Sequence, residues 1–311
     1  MSFAEITDLR ALEIEQLHES SGLPILVNWS GGIDSTCIVA AIYKVCKPST
    51  IKNTTIRLNN SSYFENPKFF RDIIKPNFNY TEVERSGFVD AEYIFVTGDP
   101  ADQLWIHADI IELLYKFPGQ SKNNVNTNPD TLLKFLETKT DPAHARWFYT
   151  FILQSSTRSP VPVVTYEDFY WWANYNFYYC GNSFKAYLLD YAEHCTERYA
   201  IFKKTCVPWY TSNNYQQWSL HNNSNGVKLG NSIASYKEPA KKYIVDVDKN
   251  YHYYYYKSKV GGISMPTIYA VGDIYRDPDT IVAAYNDGTI LRMSELHRVQ
   301  ELFCSNQQIL K

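Results

Sequence analysis

The sequence predicts an α/β protein with a doubly wound parallel sheet, followed by an aromatic-rich, mostly helical region and a small C-terminal β-hairpin. Three observations predict this class. Short apolar runs alternate with helical patterns over residues 1–120, aromatic stripes at helical spacing mark residues 121–263, and Asn286-Asp287-Gly288 is a hairpin turn signal between two strand-like runs. We therefore divide the chain into a nucleotide-binding core at 1–120, a helical region at 121–263 and a C-terminal appendage at 264–311.

The first region alternates between helices and strands. Apolar residues at helical spacing predict a helix over 4–20, with Gly22 as its stop. Strands are predicted over 24–29, 54–59, 81–85 and 92–97, and helices over 34–46, over 67–74 and from Ala101 onwards. Because parallel strands need crossover connections, these helices are expected to cover the sheet.

The remaining elements are mainly helical until the C-terminal region. Helices are predicted over 131–137, 143–155, 167–198, 237–247 and 295–303, and strands over 267–275 and 280–293. The aromatic stripe at 169–173 is more typical of a packed core than of a platform on which bases stack.

Composition excludes several classes of protein. The 311 residues carry 30 Lys and Arg against 33 Asp and Glu, which argues against a globally basic nucleic-acid coat, and 45% are hydrophobic, which argues against disorder. Neither a signal peptide nor a membrane span is expected. Six cysteines without a CxxC pair predict reduced thiols in a cytoplasmic protein. The excess of Asn, Tyr, Lys and Ile is typical of an AT-rich genome, and if that genome is viral, the expected location is the host cytoplasm.

The most specific feature is Ser30-Gly31-Gly32-Ile33-Asp34-Ser35, between a predicted strand and a predicted helix. The glycines let the backbone approach an anion, the helix N-terminus favours phosphate, and the two serine hydroxyls can donate hydrogen bonds. Asp34 would repel an anion unless a divalent cation lay between them, and Mg²⁺ typically binds one or two carboxylates together with substrate phosphates. The alternative is a plain glycine turn before a capped helix.

A second group of polar residues, Gly98, Asp99 and Asp102, follows the strand predicted over 92–97. Carboxylates at the ends of adjacent parallel strands can converge on one cation, so Asp34 and Asp102 are candidate metal ligands. The alternative is that both aspartates of this group only cap a helix.

Both segments resemble one superfamily. Ser30–Ser35 resembles the SGGxDS signature of the PP-loop ATP pyrophosphatases, the adenine nucleotide α-hydrolase-like superfamily, and 97–105 resembles the acidic strand-end stretch of asparagine synthetase. The nearest relatives implied are the synthetase domains of asparagine and β-lactam synthetases. The resemblance implies a Rossmann-like PP-loop fold, with ATP and Mg²⁺ as cofactors.

The resemblance also implies roles for single residues. It places ATP on Ser30, Gly31, Gly32, Asp34, Ser35, Thr36, Leu58 and Gly98, and Mg²⁺ on Asp34 and Asp102. It places Asp99 near the reacting acyl group. Lys257-Ser258-Lys259 resembles a late Arg-x-Lys segment, so Lys259 would contact the phosphates with Lys257 in place of the arginine. The alternative for both lysines is a solvated basic turn.

The function implied is an AMP- and pyrophosphate-forming synthetase that adenylates a carboxylate and joins it to ammonia or another amine. The partners expected are small molecules rather than membranes or nucleic acids, and assembly into a homo-oligomer is left open. No glutaminase domain is expected before the PP-loop, and Pro100 and Gln103 replace the family's usual glycine and glutamate.

Two other readings compete. One is nucleic-acid or nucleobase modification of the thiolation or deazaguanine type, although the cysteine spacing supplies neither a reactive pair nor a zinc cluster. The other is a non-catalytic nucleotide-binding protein, which the substitutions at Pro100 and Gln103 motivate.

Overall fold

A computed structural model gives the fold. It describes residues 1–58, 60–83, 92–98, 101–105, 113, 119–120, 122–159, 161–175, 205–222, 227–228, 237–256, 281–284 and 290–292. Its strands are β1 (Ile25–Asn28), β2 (Thr54–Leu58), β3 (Asn79–Glu82), β4 (Ile94–Thr97), β5 (Cys206–Pro208), β6 (Ile281–Ala284) and β7 (Ile290–Arg292). The first five form one sheet in the order β3-β2-β1-β4-β5, with every neighbouring pair parallel. The predicted α/β class with a parallel sheet is confirmed.

The strand order defines a switch point. The chain starts at the middle strand β1, builds outwards through β2 and β3, and then returns to the other side of β1 to form β4 and β5. In such open sheets the connections leave β1 and β4 in opposite directions, which opens a crevice beyond their carboxyl ends. The two polar segments identified in the sequence follow these two strands.

The central strands are buried, as a sheet covered on both faces requires. Ile25, Leu26 and Val27 of β1 and Ile94 and Val96 of β4 are at most 4% exposed. Their continuous apolar runs, rather than an alternating pattern, are what identified them as parallel strands in the sequence.

The helices connect the strands and cover the sheet. They are α1 (Phe3–Ser21), α2 (Ile33–Val45), α3 (Pro48–Lys52), α4 (Asn60–Glu65), α5 (Pro67–Phe69), α6 (Lys75–Asn77), α7 (Pro129–Glu137), α8 (Pro142–Ser155), α9 (Tyr166–Asn174), α10 (Asn213–His221), α11 (Glu238–Asp248) and α12 (Tyr251–Tyr256). A π-helical segment, Phe70–Ile74, joins α5 to α6, and short 3-10 turns occupy Ala101–Gln103, Ser156–Arg158 and Trp209–Thr211.

Helix α1 has well-defined ends. Ser2 and Glu5 form a reciprocal capping box at its start, and Gly22 ends it in the left-handed conformation with a φ of 72°. Helix α2 packs against both α1 and α11. It is apolar almost all round, with Cys37 to Ile42 at 0% exposure, because it lies at the centre of this layer.

The chain divides into two compact units. One contains Met1–Trp105 and Asp190–Ser258, and the other contains Ile106–Leu189 and Lys259–Lys311. The first holds the five-stranded sheet, and the second holds α7, α8, α9 and the antiparallel pair β6–β7. The three-part division made from the sequence stays a prediction. The predicted strand at 267–275, the helix at 295–303 and the second half of the helix at 167–198 lie outside the described residues.

Several elements differ from the sequence prediction. Helices α3, α4, α10 and α12 were not predicted, and the helix predicted from Ala101 begins as the 3-10 turn Ala101–Gln103. Cys206–Pro208 adds a fifth strand beside β4, where no strand was predicted, because three residues ending in proline give no strand pattern. The helix predicted over 67–74 changes to π-helical hydrogen bonding at Phe70. Across the described residues, no helix has both the length and the apolar character needed to span a membrane.

Candidate nucleotide site

The candidate site lies where β1 and β4 end, within the first unit. After β1 the chain turns through Ser30, Gly31 and Gly32 and enters α2 at Ile33. Gly31 has a φ of 80°, in the left-handed region that favours glycine. A Cβ atom on Gly31 would lie 2.5 Å from the Ser62 carbonyl oxygen and 2.7 Å from Glu65 Cβ. Only glycine therefore fits between this turn and α4.

The start of α2 follows the glycine turn directly. Gly32 is the N-cap, and as a glycine it contributes no capping side chain. The Thr36 amide donates to the Gly32 carbonyl oxygen at 3.0 Å, which closes the first turn of the helix. The amides of Ile33, Asp34 and Ser35 thus lie in the first turn, where N–H groups and the helix dipole favour an anion.

The serine hydroxyls of the turn bond to each other. Ser30 Oγ lies 3.1 Å from Ser35 Oγ, which also accepts a hydrogen bond from the Ser30 amide at 3.1 Å. The Gly32 amide donates to Ser30 Oγ at 3.3 Å. These hydrogen bonds stabilise the conformation of the Ser30–Ser35 turn. The two serines therefore have a structural role in addition to the role of ligand donors that the sequence predicts for them.

The end of β4 borders the same helix terminus. A Cβ atom added to Gly98 would lie 3.6 Å from the Ser35 amide nitrogen and 3.7 Å from Asp34 Cβ, both ordinary contact distances. Asp102 follows in the 3-10 turn Ala101–Gln103. The two segments found in the sequence are therefore neighbours in space.

Asp34 and Asp102 converge on one positive charge, the ammonium group of Lys237. Lys237 Nζ donates to Asp34 Oδ2 at 2.6 Å and to Asp102 Oδ1 at 2.7 Å. The lysine side chain is 4% exposed, against 26% for Asp34 and 20% for Asp102. Since both carboxylate oxygens lie within 2.7 Å of one nitrogen atom, they are close enough to share one cation.

Sequence reasoning missed Lys237. It stands at the start of the helix predicted over 237–247, and nothing in its neighbourhood marks it as a partner of either aspartate. Two features of the sequence could have drawn attention to it. It directly precedes a helix with Pro239 in the first turn, and its positive charge suits the C-terminus of a helix better than the N-terminus.

Two buried tyrosines hold the backbone of the turn. Tyr210 donates to the Asp34 carbonyl oxygen at 2.8 Å, and Tyr253 donates to the Gly31 carbonyl oxygen at 3.1 Å. Burial raises the pKa of both phenols well above the ordinary value, so they remain protonated donors at neutral pH. Elements late in the chain thus fix the geometry of the early motif.

The other predicted site residues occupy different situations. Thr36 is fully buried, and its hydroxyl accepts from Trp29 Nε1 at 3.0 Å. Leu58 ends β2 at the same edge of the sheet, and its carbonyl oxygen accepts from the Val83 amide at 2.9 Å. Asp99, Lys257 and Lys259 lie outside the described residues, as do Pro100 and the side chain of Gln103. The functional roles of all these residues stay predictions.

Two of the described cysteines, Cys37 and Cys46, do not resemble reactive thiols. Neither forms a disulfide bond, and both are buried. Burial raises the pKa of Cys37 and raises that of Cys46 to about 12, which disfavours the nucleophilic thiolate form.

The donor set suits Mg²⁺ bound together with phosphate. Within the part of the chain that is described, no group of three or more His, Cys, Asp or Glu side chains could hold a metal ion by itself. Two carboxylates beside an anion-binding helix terminus match the preference of Mg²⁺ for one or two carboxylates, with substrate phosphates and water completing the octahedron. The residues present therefore fit this ion as part of a metal–nucleotide complex.

In comparisons with known proteins, no family model, no curated protein and no solved structure matches this chain.

Proposed function

We propose that this protein is a Mg²⁺- and ATP-dependent synthetase of the PP-loop type, which cleaves ATP to AMP and pyrophosphate and adenylates a carboxylate. The observation that carries the proposal is the convergence of Asp34 and Asp102 on one cation position, next to the N-terminus of α2 and at the switch point of a parallel sheet. Ligands of open α/β sheets bind in this crevice.

The residues divide the work of binding the nucleotide. The Ile33, Asp34 and Ser35 amides would receive phosphate oxygens, and the glycine turn would let them come close to the backbone. Asp34 and Asp102 would hold Mg²⁺, which supplies charge neutralisation for the departing pyrophosphate. The buried phenols of Tyr210 and Tyr253 keep the turn rigid, so that the amides are oriented before the ligand arrives.

The chemical steps follow from the bond that is cleaved. A substrate carboxylate oxygen attacks the α-phosphorus, and the bond to the bridging oxygen of the β-phosphate breaks with release of pyrophosphate. The amine nitrogen then attacks the acyl carbon, the bond from that carbon to the phosphate oxygen of AMP breaks, and the nitrogen loses a proton to solvent as AMP leaves. Lys259, Lys257 and Asp99 are proposed on the family resemblance alone. Lys259 would contact the phosphates, Lys257 would take the place of the family's arginine, and Asp99 would lie near the reacting acyl group.

Product analysis across a panel of carboxylic acids tests this proposal. The full chain is incubated with Mg²⁺, ATP and each acid, with and without ammonia, and nucleotides and phosphates are separated. We expect AMP and pyrophosphate in equal amounts with at least one acid, and an amide when the amine is present. ADP and orthophosphate as the stoichiometric products would contradict the PP-loop assignment.

A second candidate is nucleotide binding without the reaction. The ammonium of Lys237 lies between the two carboxylates and pairs with both, which supports this candidate. Saturable binding of Mg-ATP with no pyrophosphate release from any acid would favour this second function. Burial raises the pKa of Cys37 and Cys46, so neither of these two thiols favours modification of a nucleobase by a thiol.

A further inference from the structure

Lys237 is placed against three local preferences at once. Its backbone has a φ of 59°, in the left-handed region that non-glycine residues rarely adopt. It stands at the N-terminus of α11, where the helix dipole disfavours a cation. Its residue is 3% exposed, and buried lysines are rare unless they are paired. Such conflicts are expected at functional positions, where another interaction compensates them.

The compensating interaction is the pair of carboxylates. Asp34 is in the first turn of α2, Asp102 follows β4, and Lys237 reaches them from the start of α11, which packs against α2. Three elements that are distant in the sequence therefore meet at one ammonium nitrogen. Without this charge, two carboxylates that are mostly buried would face each other.

We infer that Lys237 is a built-in counter-ion for Asp34 and Asp102: it occupies their cation position while no nucleotide is bound, and it keeps free divalent metal out. The inference rests on the proposed function only in taking Mg²⁺ as the cation that the carboxylates hold later. Free Mg²⁺ must compete with an ammonium group that the fold itself holds at the site, whereas Mg²⁺ bound to phosphates brings further ligands and negative charge with it. The site would therefore take up metal and nucleotide together.

Metal titration without nucleotide tests this inference. Free Mn²⁺, a spectroscopic substitute for Mg²⁺, is measured by electron paramagnetic resonance as it is added to the wild type, to Lys237→Met and to Lys241→Met. Methionine keeps the unbranched side chain and removes the charge. Lys241 is the matched control, because it lies one turn along the same helix and is only 2% exposed.

We expect Lys237→Met to bind Mn²⁺ at least about tenfold more tightly than the wild type, because two carboxylates lose their bound positive charge. Lys241→Met should bind it as weakly as the wild type. Equal Mn²⁺ affinity in Lys237→Met and the wild type would overturn the inference. Tight Mn²⁺ binding by the wild type in the absence of nucleotide would also overturn it.

Thermal unfolding provides a second measurement if Lys237→Met is unstable. Its midpoint should fall, and it should rise again with added Mn²⁺ by more than that of the wild type or of Lys241→Met. Adding Asp102→Asn to Lys237→Met removes one of the opposed charges, so the midpoint should partly recover while the Mn²⁺ effect disappears. A Lys237→Met midpoint that does not respond to Mn²⁺ would overturn the inference.

These measurements use no nucleotide, so they separate the inference from the proposed function. If Lys237→Met gains a cation site while the wild type releases no pyrophosphate with any acid, the counter-ion role stands and the synthetase function fails. If the wild type releases pyrophosphate but Lys237→Met gains no affinity for Mn²⁺, the synthetase function stands and the counter-ion role fails.

Discussion

Asp34→Asn should lower the rate of pyrophosphate release by about three orders of magnitude or more. The carboxylate of Asp34 is one of two that converge on the cation position, and a carboxylate that bridges metal and phosphates contributes several kcal/mol to transition-state stabilisation. Asparagine keeps the shape of the side chain, and Lys237 retains its contact of 2.7 Å with Asp102. The rate is measured with saturating Mg-ATP and the acid that the panel identifies.

Asp8→Asn is the matched control for this substitution. Asp8 also forms an ion pair with a lysine of α2, Lys44, at 2.8 Å, but it belongs to α1, and Lys44 lies in the last turn of α2 rather than the first. Pyrophosphate release should therefore be unchanged in Asp8→Asn. Full activity in Asp34→Asn, with a normal unfolding midpoint, would contradict the proposal that the carboxylates of Asp34 and Asp102 take part in the reaction.

Gly31→Ala should reduce the free energy of unfolding by about 4 kcal/mol or more, which is exceptional for a single substitution. The left-handed conformation at Gly31 disfavours any Cβ atom. In addition, the new atom would lie 2.5 Å from the carbonyl oxygen of Ser62, which is backbone and cannot rotate away as a side chain would. Urea denaturation followed by tryptophan fluorescence measures the change.

Gly22→Ala separates the two causes. Gly22 has a φ of 72°, close to the 80° of Gly31, but among the described residues nothing lies within 4 Å of the place that a Cβ atom on Gly22 would take. The substitution should therefore cost only the conformational term of about 1 kcal/mol. If Gly31→Ala lowered the free energy of unfolding no more than Gly22→Ala does, the result would contradict the close packing of α4 against the glycine turn.

The sequence was most informative about the centre of the sheet. The runs that became β1 and β4 are continuous and apolar, so both strands could be predicted, and after β1 the glycine turn and the helix α2 could be predicted in order. The helix predicted after β4 begins instead as the 3-10 turn Ala101–Gln103. The sequence also predicted that Asp34 and Asp102 could converge, because each follows a strand and the carboxyl ends of adjacent parallel strands lie at the same edge of the sheet.

The rest depends on contacts that no local pattern encodes. Lys237 is 203 residues from Asp34 and 135 from Asp102 in the sequence, so its pairing could not be read from spacing. The bond of Tyr253 to Gly31 spans 222 residues. The strand Cys206–Pro208 is too short for an alternating or apolar run, and only its position beside β4 makes it a strand.

The central claim, that the start of α2 binds the phosphates of Mg-ATP, is tested most directly by calorimetric titration of the uncleavable analogue α,β-methylene-ATP into the wild type and Gly98→Ala. A methyl group on Gly98 fits the fold but would lie 3.6 Å from the Ser35 amide nitrogen, in the space where a phosphate oxygen would accept its hydrogen bond. We predict saturable, Mg²⁺-dependent binding to the wild type and at least about tenfold weaker binding to Gly98→Ala, the expected effect of one lost hydrogen bond to a charged ligand. Absence of binding to the wild type, or equal affinity in both proteins, would contradict the account.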